Sequence, residues 1–137
     1  MLAVDRDATA LRVRFAGVAA VEIREVDLEA GAPWCLGGGF SGIVVVNYLH
    51  RPLLPALIQS LAPGGVLIYE TFMAGNERFG RPSNPDFLLR PGELLAAFAE
   101  LTTVAFEQGF ATEPRPAVMQ RIASVNTPAL QALPGDA

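Results

Sequence analysis

The sequence predicts an α/β fold: a mostly parallel sheet with helices between its strands and a reversed last strand. Three observations predict it. Residues 40–72, FSGIVVVNYLHRPLLPALIQSLAPGGVLIYETF, read as strand, helix, turn and strand. The run Gly42–Val46 is too continuously apolar for a strand with one wet face and fits a strand covered on both sides. Two late strand patterns, Thr103–Gln108 and Ala117–Val125, have no helix between them and should be antiparallel.

Taken in order, Leu2-Ala3-Val4-Asp5 is a short apolar run ending in a carboxylate, a strand that starts at once. Asp7 or Thr9 can cap the next helix. Leu11, Val13, Arg14 and Phe15 are only loosely helical in spacing, and Gly17 closes the segment. Val21–Val26 alternates at period two, a strand with one polar face near a sheet edge; Asp27 ends it. Residues 29–39 form a Gly- and Ala-rich loop holding Trp34 and Cys35. After Gly42–Val46, Asn47-Tyr48 ends the strand and His50-Arg51-Pro52 opens a helix, with proline where it is tolerated. Leu54, Leu57, Ile58 and Leu61 fall at i, i+3, i+4 and i+7, one buried face. Pro63-Gly64-Gly65 stops that helix. Val66–Tyr69 is the next buried strand, ended by Glu70-Thr71, and the crossover between the two strands should be right-handed. Residues 73–90 are the longest polar stretch, a lid or substrate-facing loop by length and mixture. Pro91-Gly92-Glu93 opens a helix with Leu94, Leu95, Phe98 and Leu101 inward. Residues 1–126 make one domain, and 127–137 read as a frayed tail.

Composition narrows the function classes. The chain has 137 residues, is 51% hydrophobic and carries a net charge of −4. That apolar content implies a densely buried sheet or apolar surface awaiting a partner. The acidic balance gives no electrostatic footprint for nucleic acid. All ten basic residues are Arg, which excludes a lysine Schiff base and a P-loop lysine. One Cys and one His do not make a common zinc site. Cys35 lacks a partner for an internal disulfide, which fits a small apolar role in a reducing, cytoplasmic compartment. No apolar stretch reaches the ~18 residues of a membrane span, and Met1-Leu2-Ala3-Val4 has no signal-peptide pattern.

Chemistry gathers at the strand ends. Asp5, Asp27, Asn47 and Glu70-Thr71 finish four runs, and in open α/β sheets ligands bind beyond the carboxyl ends of the strands. A carboxylate there can accept two hydrogen bonds from vicinal ribose hydroxyls. Asp27 can accept from an adenine amine and the Leu28 amide can donate to a ring nitrogen. Polar residues also end strands for reasons unconnected with ligands.

These residues carry a resemblance. Asp5 in AVDRD, Asp27 in VDLE, FSGIVVVNYLHR and LAPGGVLIYETF resemble successive motifs of the class I S-adenosylmethionine-dependent methyltransferases. The stretch GNERFGRPSNPDFLLRPGEL is similar to a loop and helix of the small-molecule, tellurite-resistance-type branch. The resemblance runs from about Leu2 to Val125. It implies a Rossmann-like sheet of order 3-2-1-4-5-7-6 with the last strand reversed, and S-adenosylmethionine as cofactor. It implies that Asp5 holds the ribose hydroxyls and that Asp27 with Leu28 meets the adenine edge. Asn47 and Tyr48 then lie beside the donor's methyl group and the substrate, with His50 and Arg51 at the mouth of the pocket. Tyr48 and His50 are the catalytic candidates; His50 can act as a general base or merely cap the helix. Arg78, Phe79 and Arg81 make the candidate substrate loop, where the arginines can clamp an anion or simply face water. Trp34 can stack on adenine or pack.

One family motif has no counterpart. The family pattern opens with a strand, an E/D-x-G-x-G-x-G loop and a helix, whereas this chain matches from the second strand onward. Gly37-Gly38-Gly39 is no substitute, because no helix comes after it. The expectation is a truncated methyltransferase sequence that binds the donor poorly, with a rearranged sheet or a homodimer filling the gap. Two other readings stand beside it. One is a non-catalytic remnant acting through self-association. The other is a nicotinamide-dependent oxidoreductase, disfavoured by the antiparallel last strands.

Overall fold

The computed structural model describes residues 1–31, 34–133 and 135. Residues 32–33 of the expected loop, and 134 and 136–137 of the expected tail, lie outside the described residues. The chain divides into two compact units, Met1–Cys35 and Leu36–Ala137.

The first unit is built on a parallel pair, β1 (Leu2–Asp5) and β2 (Glu22–Glu25), with α1 (Thr9–Arg14) between them. Asp7 helps to start α1: its Oδ1 accepts the Thr9 amide at 3.0 Å. Hydrogen bonds from Thr9 hold the Asp7 carboxyl below its ordinary value. The helix is tied back to β2, because Glu25 Oε2 accepts from the Ala8 amide at 3.0 Å and from Arg12 Nη1 at 3.2 Å.

The second unit holds a mixed sheet of order β3-β4-β6-β5. β3 (Phe40–Val46) runs parallel to β4 (Leu61–Phe72), and β6 (Ala117–Val125) is antiparallel to both β4 and β5 (Thr102–Ala111). The antiparallel pairing of the last two strands is as the missing helix requires. The buried face is set by period two along β4 and β6. Leu67 (opposite Ser124), Tyr69 (opposite Ile122) and Thr71 (opposite Gln120) are all buried. Leu89, Leu94 and Phe98 are buried with them, and the Tyr69 and Phe98 rings meet at a 5.8 Å centroid distance.

Four expectations change. Gly42–Val46 is not covered on both sides: β3 is a terminal strand of its sheet, and Val44 and Val46 are 67% and 57% exposed. Pro63-Gly64-Gly65 does not end the helix. A 3₁₀ turn (Arg51–Leu53) leads into α2 (Leu54–Ser60), which stops at Ser60, and the Pro-Gly-Gly lies inside an irregular start to β4. There Gly64 takes φ +78, and a Cβ on Gly65 would meet the Phe40 carbonyl at 2.8 Å, so this close backbone approach requires glycine. α3 is short (Glu93–Ala97), and Leu95 is 40% exposed while Leu94 and Phe98 are buried. Adjacent residues point about 100° apart on a helix, so Leu94 and Leu95 cannot share one narrow face. Cys35, expected to pack as a small apolar residue, is exposed. Among the described residues no helix is long and apolar enough to cross a membrane.

Candidate functional site

In the first unit, Asp5 pairs with Glu25, and the Val26 amide donates to the Asp5 carbonyl at 3.0 Å. Asp5 and Asp27 therefore leave the carboxyl end of the same parallel pair. Each carboxylate is steadied by a local turn. Asp5 Oδ1 accepts the Asp7 amide at 3.1 Å, and Asp27 Oδ1 accepts the Glu29 amide at 2.9 Å. A carboxylate has about four lone-pair directions, so both groups keep acceptor capacity for a ligand. The half-buried Leu28 is the next residue, and its amide meets no protein acceptor among the described residues. Asp5 thus ends β1, and Asp27 and Leu28 follow the end of its parallel partner β2.

In the second unit, the parallel pair β3–β4 ends with Asn47 beside Glu70: the Asn47 amide donates to the Glu70 carbonyl at 2.9 Å. Asn47 takes φ 53, a left-handed conformation that Asn tolerates better than most side chains. It turns the chain sharply as it leaves the sheet. Tyr48 comes next, and its carbonyl accepts the buried Tyr69 hydroxyl at 2.6 Å. Burial pushes the Tyr69 phenol upward from its ordinary value. His50 is half-buried at the head of the 3₁₀ turn; its backbone carbonyl accepts the Leu53 amide at 3.0 Å, and its side chain forms no cap there.

Arg51 holds the loop that leads to α3. Nε and Nη2 reach the two Glu93 carboxylate oxygens at 2.7 and 2.9 Å, while Nη1 and Nη2 also donate to the Asp86 and Leu88 carbonyls at 3.1 and 2.9 Å. Hydrogen bonding from Arg51 holds the Glu93 carboxyl below its ordinary value against the opposing effect of burial. The reciprocal bond raises Arg51. Two buried amides fix the rest. Asn76 donates to the Pro82 carbonyl at 3.0 Å and accepts the Val118 amide at 3.0 Å. Gln120 Oε1 accepts the Leu94 amide at 2.8 Å, and its Nε2 donates to the Arg90 carbonyl at 2.9 Å. A cleft of about 530 Å³ lies beside this loop, lined among others by Arg51, Glu77, Ser83, Asp86 and Arg90. Arg78, Phe79 and Arg81 are exposed on the same loop, and the Phe79 ring stacks on Phe110 at 5.0 Å and 21°.

Sequence reasoning missed Glu93, Asn76 and Gln120. Glu93 reads as a helix-start acid, and nothing in the chain marks a partner 42 positions upstream. Among the described residues, no three His, Cys, Asp or Glu side chains gather as a metal site.

No protein-family model and no curated protein matches the chain. Solved structures do. N-methyltransferase NodS from Bradyrhizobium japonicum matches with a TM-score of 0.68 and 16% identity over 92% of this chain and 72% of NodS. A second NodS structure, in complex with S-adenosyl-L-homocysteine, matches at 0.68 and 18% over 93% of this chain and 66% of that one. TehB from Haemophilus influenzae matches at 0.70 and 9% identity, covering 90% of this chain and 49% of TehB. This chain therefore spans about half to three quarters of these proteins. Its α/β architecture, with a mixed sheet closed by antiparallel last strands, is the fold it shares with these NodS and TehB structures.

Proposed function

We propose that this protein is a methyltransferase-like protein of the small-molecule, tellurite-resistance-type branch that uses S-adenosylmethionine. The observation that carries the reading is the pair of carboxylates at one parallel strand end, Asp5 and Asp27, in a chain with a methyltransferase fold. NodS, which has that fold, binds S-adenosyl-L-homocysteine. The residues fit the donor's adenosine half. Asp5 accepts from the ribose hydroxyls, Asp27 from the adenine amine, and the Leu28 amide donates to the ring. S-adenosylmethionine supplies the electrophilic methyl group. The protein's part is alignment of acceptor and donor rather than an obligatory acid–base set. In this reading, which follows the family resemblance, Asn47 and Tyr48 serve the donor's methyl end and the substrate, and His50 accepts a proton from the substrate when the acceptor requires it. Arg78, Phe79 and Arg81 receive the substrate. The single exposed Cys35 supports a reducing, cytoplasmic setting.

Titration with S-adenosylmethionine and S-adenosylhomocysteine at millimolar concentrations, monitored by NMR, tests the reading. Saturable shifts at Asp5, Asp27 and Leu28 support it, and a folded protein that gives no shifts at those residues removes it.

A further inference from the structure

β3 stands at the edge of its sheet in a way that edge strands usually avoid. Such strands are blunted by charge, proline or shortness, because a free row of backbone groups invites pairing. Phe40–Val46 is seven residues long and contains no charged residue and no proline. Its side chains on the outer face, Val44 and Val46, are 67% and 57% exposed, and the apolar face continues onto β4 through Val66 and Ile68, 38% and 46% exposed. The direction of its backbone groups is set by β4, its partner among the described residues. The Asn47 amide donates to the Glu70 carbonyl, and β3 and β4 are parallel with Val46 opposite Glu70. Alternate residues of a strand aim at opposite neighbours, so Gly42, Val44 and Val46 turn their N–H and carbonyl groups away from β4 and toward the open edge.

We propose that this edge pairs with β3 of a second copy of the chain, antiparallel about a two-fold axis at Val44. A two-fold operation brings one surface onto itself. The strand suits that demand for two reasons. It is neutral, so no like charges are opposed across the axis. Its outward-bonding residues are also spaced symmetrically: Val44 meets Val44, and Val46 meets Gly42 of the other copy. Each of these rungs exchanges an N–H and a carbonyl in both directions. The result is a sheet running continuously through two copies, with the Val44 side chains adjacent on the same face. This association is independent of donor binding and stands or falls separately from it.

The test uses the full chain. Sedimentation equilibrium over a concentration series is expected to give a dimer. Val44→Lys, which places two ammonium groups together at the axis, is expected to raise the dissociation constant at least tenfold. Val13→Lys, at an exposed position of α1 in the first unit, is expected to leave it unchanged. Circular dichroism checks that the Lys variants remain folded. In a Cys35→Ser background, Val44→Cys is expected to form an intermolecular disulfide on oxidation. A directly opposed, hydrogen-bonded antiparallel pair has Cα atoms about 5.5 Å apart, within disulfide range. A chain that is monomeric at all concentrations overturns the proposal. So does a dimer that Val44→Lys leaves intact, or a folded Val44→Cys variant that does not cross-link.

Discussion

Arg51 and Glu93 form a two-point pair, Nε to Oε2 at 2.7 Å and Nη2 to Oε1 at 2.9 Å. They join the head of the 3₁₀ turn before α2 to the start of α3. The guanidinium also holds the carbonyls of Asp86 and Leu88, so one side chain sets the course of the intervening loop. The Glu93 side chain is only 10% exposed, whereas Arg51 is 33% exposed, so water screens the pair on one side. Glu93→Gln is expected to cost about 1–3 kcal/mol, below the range for a fully buried pair. Urea unfolding measures the loss, and hydrogen exchange should quicken at Leu88 to Arg90.

The same pair sets a pH dependence. Glu93 is held below its ordinary value of 4.5, so the unfolded chain takes up this proton first as pH falls. Its contribution is complete above about pH 4.5 and is lost as pH drops through the lower folded value. The stability profile of Glu93→Gln should therefore be flatter than that of the unaltered protein below about pH 4.5. Parallel profiles would assign the acid sensitivity to other carboxylates.

Tyr69→Phe removes the bond to the Tyr48 carbonyl and is expected to cost about 0.5–1.5 kcal/mol. Burial raises the Tyr69 phenol above its ordinary value of 10.0. The folded state then keeps its proton where the unfolded state releases it, so stability is level up to about pH 10 and falls above it. The Phe variant should lack that part of the alkaline decline, as denaturation at stepped pH would reveal.

Asn76→Ala strips the Val118 amide and the Pro82 carbonyl of their partner. Asn76 is 2% exposed, so the expected loss is about 1–3 kcal/mol. A melting temperature unchanged within error would show that water replaces the Asn76 amide without cost.

What the sequence disclosed was whatever local pattern dictates. The strand-helix-strand unit, the reversal of the last two strands and the polar residues that end β1, β2 and β3 are all set by period and punctuation, whereas Glu70-Thr71, read as a strand end, lie inside β4, which runs on to Phe72. The environment of β3 was not, because an apolar run reads as doubly covered whether or not a neighbour is present. The Pro-Gly-Gly misled for a related reason. It is a turn signal in isolation, but here it lies in the bulged start of a strand whose register the Phe40 carbonyl constrains. Leu95 was assigned inward by its chemistry although Leu94 already fills that face. Glu93, Asn76 and Gln120 work through partners tens of residues away, and side-chain pairing at that separation leaves no local trace.

The most direct test of the methyltransferase reading is the affinity of the chain for S-adenosylmethionine before and after Asp5→Asn and Asp27→Asn. The account predicts saturable binding by the unaltered chain. It also predicts a loss of at least about tenfold in each variant, as expected when a charged hydrogen-bond acceptor is neutralised. Absence of saturable binding by the folded chain at millimolar donor, or binding indifferent to both substitutions, would contradict it.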